Sequence, residues 1–67
     1  MDYKEMSIGE KLRTLRGDRP KKEVADAIGV SESSYIKYER DERIPRDAVK
    51  ERIAKYYRRS VGSIFFG

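Results

Sequence analysis

The sequence contains no cysteine and no histidine. Disulfide staples are therefore excluded, along with the usual Cys/His zinc sites and any triad or acid–base pair built on imidazole. Stability has to come from packing, with self-association as a further resource. Long apolar runs are missing too. No stretch approaches the ~20 residues that span a bilayer, and no signal-peptide core follows Met1. Period-2 runs of β-branched residues and Asn-Gly or Asp-Gly hairpin turns are absent, so no strand is expected. Nor are there internal repeats, low-complexity tracts or linkers. What remains is a single small domain of 67 residues, expected to be soluble, cytoplasmic and free of membranes.

What the chain has in quantity is charge: 42% of residues are Asp, Glu, Lys or Arg, and the formal net charge is +4. A positive balance suits a nucleic-acid binder only where the cations cluster, so their placement decides. Met1 to Met6 shows no periodicity and is expected to form a flexible arm whose Tyr3 can fold back, leaving residues 7–67 as the domain. Ser7-Ile8-Gly9-Glu10 matches a capping box, and Ile8, Leu12 and Leu15 recur at helical spacing up to Gly17. The first helix is expected at about Ile8 to Arg16. Pro20 suits the first turn of a second helix, about Pro20 to Ile28, with Val24, Ala25 and Ile28 inward. Ser31 can cap a third, about Glu32 to Arg40, turning Tyr35 and Tyr38 inward. A polar loop closed by Pro45 leads to a fourth, about Arg46 to Tyr57, with Val49, Ile53, Tyr56 and Tyr57 inward. Ser60 can cap a last short turn presenting Val61, Ile64 and Phe65. The expected architecture is an all-α compact bundle of four to five short helices.

The join between the second and third helices is the most informative feature. Two helices meeting at ~90–120° need a small residue at the crossing, a residue free to turn, and apolar groups facing the shared corner. Ala25 and Gly29 meet the first two needs; Val24, Ile28, Val30, Tyr35 and Tyr38 meet the third. On these residues the run Lys21–Arg40 resembles the phage Cro/repressor-type (Xre-like) helix-turn-helix family. Arg16 before it, and Glu39, Pro45, Ser60-Val61 and Ile64-Phe65 after it, extend the likeness from about Ile8 to Phe65. The resemblance implies a five-helix, lambda-repressor-like DNA-binding domain, mostly found in dimeric transcriptional regulators.

In such a fold the later helix of the pair enters the major groove while the earlier one crosses the backbone. Glu32, Ser33, Ile36 and Lys37 then become base-contact candidates: Lys37 can donate to guanine, Glu32 can accept from cytosine N4, Ser33 can do either, and Ile36 suits a thymine methyl. Each also has a plainer reading, since Glu32 complements the helix dipole, Lys37 can be a solvated lysine and Ile36 can be half buried. Lys21, Lys22, Ser31, Arg40 and Arg43 are phosphate-contact candidates, although Ser31 is chiefly an N-cap and Arg40 can tether the following loop. Lys21 and Lys22 oppose the dipole at their helix start, a penalty that a nearby phosphate removes.

The resemblance further implies an ion pair between Arg16 and Glu39. The chain departs from the family pattern at several positions: Lys21 stands where glutamine is usual, Tyr35 replaces a smaller aliphatic, Ile36 a small polar residue and Asp41 a glycine. The Arg16–Lys21 connection is also shorter than usual by two residues. Tyr56, Ile64, Phe65 and Phe66 are dimer-interface candidates, Phe66 above all: the C-terminal apolar groups exceed what so short a chain covers, some of them must pack on the first and fourth helices, and the plainer reading is a last turn that simply closes the core. No nucleophile–base pair or metal cluster is recognisable, so neither an enzyme nor a cofactor is expected. The expected partners are a double-stranded DNA operator and a second copy, with no small-molecule ligand. The alternative is the same fold used against a protein, as in an antitoxin or adaptor, for which Glu32 and Ile36 are the best support.

Overall fold

The computed structural model describes residues 5–66. Four α-helices run in order: α1 (Ile8–Arg16), α2 (Lys21–Ile28), α3 (Glu32–Glu39) and α4 (Asp47–Tyr57). A π-helical turn, Gly62–Phe66, closes the chain. Most of the N-terminal arm, with Tyr3, lies outside the described residues. Among those residues there is no strand, and no helix is long and apolar enough to cross a membrane.

Helix starts lie within a residue of the sequence expectation, and side-chain caps define two of the four. Ser7 Oγ accepts the Glu10 N–H at 3.1 Å while the Ser7 N–H donates to Glu10 Oε1 at 2.8 Å, a complete capping box. Ser31 Oγ accepts the Ser34 N–H at 3.1 Å at the start of α3. Pro20 and Arg46 stand just before α2 and α4 with extended backbones and no side-chain cap.

Three helix ends share one backbone solution. The carbonyls of Ala25, Lys37 and Ala54 each accept the N–H of the residue five positions on, at 2.9–3.0 Å. The residues that turn the chain there are Gly29, Asp41 and Arg58, with φ of 79°, 59° and 57°. Only Gly29 adopts this conformation without a steric cost.

The core gathers Leu12 from α1, Val24, Ala25 and Ile28 from α2, Tyr35 from α3, Ile53 from α4 and Ile64 from the last turn, each essentially sealed from solvent. Burying each larger aliphatic side chain stabilises the fold by ~1.5–3 kcal/mol. Helices α1 and α3 meet almost backbone to backbone: a Cβ placed on Gly9 would lie 2.3 Å from the Glu39 carbonyl oxygen. Lys11, only 3% exposed, donates from Nζ to the Ser63 and Ile64 carbonyls at 3.1 and 3.2 Å, tying α1 to the closing turn. That turn revises part of the expected dimer surface. Ile64 and Phe65 pack inside the protomer's own core because α1 and α4 already cover them, and Tyr56 is half-buried. Phe66 alone of the four candidates is exposed.

Candidate nucleic-acid interface

α3 spans eight residues, roughly 12 Å of helix, comparable to the width of a DNA major groove. Tyr35, Tyr38 and Glu39 face inward and are buried. Helical spacing then puts Ser33, Lys37 and Arg40 in one row along the opposite side, with Ile36 beside it, whereas Glu32 stands two turns before buried Glu39 on the same side of the helix. Glu32, Ser33 and Arg40 are exposed; Ile36 and Lys37 are half-buried. The structure therefore brings Ser33, Ile36 and Lys37 onto one accessible side of α3, and leaves Glu32 exposed in the first turn, off that side. Among the described residues, Glu32, Ser33 and Lys37 have no hydrogen-bond or ion-pair partner, so their polar groups remain available.

The phosphate-contact candidates are more dispersed. Lys21, half-buried at the first position of α2, has no partner among the described residues. Lys22 pairs with Asp26 at 3.4 Å with both side chains largely in solvent, an arrangement too weakly held to fix it. Arg40 Nε lies 3.0 Å from Glu42 Oε2, again with both side chains well exposed, so this pair holds Arg40 only loosely. Arg43 Nη1 donates to Ser34 Oγ at 3.3 Å, and Ser31 Oγ donates to the same oxygen at 3.0 Å.

These last contacts edge a groove of about 750 Å³ between the α2–α3 turn, the 43–46 loop and α4. Arg43, Arg46 and Arg52 line it, with Ser31, Ser34 and Ile44, and no carboxylate does. Arg46 and Arg52 went unrecognised in the sequence. Arg52 is held by donating from Nε to the Ile28 carbonyl at 2.8 Å, a contact across 24 residues that no local pattern announces.

The inward side of α3 is held by polar contacts as well as apolar ones. Arg16 Nε lies 2.6 Å from Glu39 Oε2, and Arg16 Nη2 donates to Glu39 Oε1 at 3.2 Å. The Glu39 side chain is 2% exposed. Its hydrogen bond is the main reason the Arg16 guanidinium holds its proton more tightly than usual. Arg13 adds a hydrogen bond to the Glu39 carbonyl. Nearby, the Tyr35 and Tyr57 hydroxyls lie 2.7 Å apart in the interior. Burial, reinforced for Tyr35 by that bond, pushes both phenols above their ordinary value. On the other flank of α1, the Asp41 carboxylate accepts the Gly9 N–H at 2.9 Å and the Ser7 hydroxyl at 2.8 Å.

A small all-helical domain in which one short helix is pinned from within and presents a polar row outward, joined through a tight glycine turn to the helix before it, is the architecture of a helix-turn-helix domain. The chain belongs to the helix-turn-helix family, whose model matches residues 10–64. It is 39% identical over 52 residues to the cryptic phage CTXphi transcriptional repressor RstR of Vibrio cholerae, a match covering 75% of this chain and 47% of that protein. The chain thus spans about half the length of that curated relative. No solved structure matches it.

Proposed function

We propose that the chain is a sequence-specific regulator of transcription, a repressor that binds double-stranded DNA as a homodimer with α3 in the major groove. The observation that carries this reading is the outward side of α3, where Ser33 and Lys37, with Glu32 in the first turn, have no partner among the described residues while Glu39 and Tyr35 pin the helix from beneath. Lys37 donates to guanine edges, Ser33 and Glu32 complete the polar readout, and Ile36 meets a thymine methyl. Lys21, Lys22, Ser31, Arg40 and Arg43 hold backbone phosphates and fix the register. Exposed Phe66 contacts the second copy, and the protein acts in the cytoplasm at its operator. Membership of the helix-turn-helix family and the likeness to a phage repressor support the reading.

Selection of bound fragments from a random duplex pool tests it. The expected product is an inverted repeat with half-sites about one helical turn, roughly 10 base pairs, apart. Absence of enrichment at ~50 mM salt, where phosphate attraction is strong, contradicts it. A second reading, a protein-binding module, draws on half-buried Ile36 and on Ile44, which is 70% exposed beside the groove. It gains if α3 binds a protein while duplex DNA is ignored.

A further inference from the structure

The polar groups beneath α3 form a closed circuit. Arg16 of α1 holds Glu39 of α3, and its Nη1 donates to the Arg19 carbonyl at 2.8 Å in the α1–α2 connection. The Arg19 guanidinium carbon sits 5.4 and 5.7 Å from the ring centres of Tyr56 and Tyr57 in α4. Tyr57 returns to α3 through the 2.7 Å contact with the Tyr35 hydroxyl. Tyr35 and Glu39 stand four residues apart, one turn along the inner side of the same helix, and are held from two different neighbours.

Apolar packing is non-directional and lets a short helix roll or tilt at little cost. Two short directed bonds, one turn apart, resist both motions. On a helix with a side-chain radius of ~6 Å, a roll of ~10° displaces the outward groups by about 1 Å. Displacement on that scale exceeds the ~0.5 Å tolerance of a working recognition geometry.

We propose that the Tyr35–Tyr57 hydroxyl pair is a positioning device that sets the roll of α3 and thereby its base discrimination, although neither hydroxyl reaches DNA. The proposal rests on the reading of α3 as the recognition helix. Tyr57 is thus a specificity-determining residue on the far side of the core. The two hydroxyls are not equivalent: Tyr35 is fully buried, whereas Tyr57 keeps 8% exposure at the edge. Removing the Tyr57 hydroxyl cuts the only polar tie from Tyr35 to α4 among the described residues and leaves its hydroxyl with Glu39 of its own helix, so that α3 is free to shift, while removing the Tyr35 hydroxyl leaves Tyr57 able to turn to water.

The test uses the full chain carrying Tyr57→Phe, with Tyr35→Phe as the second variant and Tyr38→Phe as a control that removes a hydroxyl from the inner side of α3 outside the pair. Affinities are measured for the duplex enriched by selection and for a random duplex of equal length. Both pair variants are expected to lower the ratio of the two affinities, Tyr57→Phe by about tenfold, the size of one degraded base contact. Random-duplex affinity stays within about twofold, because phosphate contacts tolerate small shifts. Tyr38→Phe changes neither quantity. An unchanged ratio in both pair variants overturns the proposal, as does an equal loss on both duplexes. Residual dipolar couplings of α3 against α4 in the DNA-free protein give a second readout. Tyr57→Phe is expected to change them, and couplings identical to the parent overturn the proposal. Failure of the parent chain to bind any duplex sinks the DNA reading instead, and the couplings then decide whether the pair positions α3.

Discussion

Asp41 and Arg58 hold the same left-handed backbone conformation at equivalent helix ends, yet replacing each by glycine is expected to move stability in opposite directions. At Arg58 the side chain makes no tertiary hydrogen bond or ion pair with the described residues, so glycine mainly relieves the steric cost of a Cβ at φ 57°. That relief is ~1–2 kcal/mol, against ~0.4–1 kcal/mol lost to a more flexible unfolded chain, leaving a net gain of ~0.5–1 kcal/mol. At Asp41 the same substitution removes both carboxylate contacts to the start of α1, at 2.9 and 2.8 Å. Aspartate tolerates φ 59° better than arginine, so less strain is released. A helix-start cap is worth ~0.5–2 kcal/mol, and Asp41 supplies two such contacts at an exposed site, so Asp41→Gly is expected to lose ~1–2 kcal/mol. Urea unfolding followed by circular dichroism separates the two cases. With m near 1 kcal/mol/M for so small a domain, the midpoint rises by ~0.5–1 M for Arg58→Gly and falls by ~1–2 M for Asp41→Gly. Equal stabilisation by both would show that the Asp41 tether contributes nothing, and the account of α1 anchoring would fail.

Arg16→Ala strands a carboxylate that is 2% exposed and is expected to cost ~3–5 kcal/mol in chemical denaturation; a loss below ~1 kcal/mol would show that Glu39 reaches solvent or another partner. Gly9→Ala places a methyl 2.3 Å from the Glu39 carbonyl oxygen, so α1 and α3 must separate at a cost of ~1–3 kcal/mol despite better helix propensity, and an unchanged melting temperature refutes the close crossing. Tyr35 keeps its proton in the folded state above its unfolded value near 10, so its contribution is intact below that pH and is lost as the pH climbs towards the folded value. Stability should fall by ~1.4 kcal/mol per pH unit above 10 through this group, and Tyr35→Phe should make the decline shallower; an equal slope in both proteins contradicts the assignment.

The helices were legible because their ends are written locally. Ser7 with Glu10, Ser31, and Gly29 act within a few residues of themselves, so caps and periodicity placed α1 to α4 within a residue at each end. The outward side of α3 followed from the same periodicity. Contacts across the chain were not legible. Asp41 to Gly9, Lys11 to Ser63, Arg52 to Ile28 and Tyr35 to Tyr57 span 22 to 52 residues and use residue types that are ordinary on a surface. Lys11 in particular looks like a solvated lysine until its stem runs beneath the closing turn. Arg58 gives no warning at all, since the residue that turns the chain after α4 is one that seldom adopts a left-handed conformation. Which of the C-terminal apolar groups pack inside was not legible for a related reason: composition shows how much apolar surface exists, but only the packed helices show that they cover Ile64 and Phe65.

Measuring how Lys37→Ala and Lys21→Ala bind the selected duplex and a random one, across a range of salt, confronts the central claim most directly. Lys37→Ala is expected to lose ~1–3 kcal/mol on the selected duplex alone and to relax preference at one base position. Lys21→Ala is expected to weaken both duplexes alike and to reduce the salt slope by about one. If the two variants lose equal affinity on both duplexes, no side chain of α3 distinguishes one base pair from another there, and the recognition role assigned to that helix is contradicted.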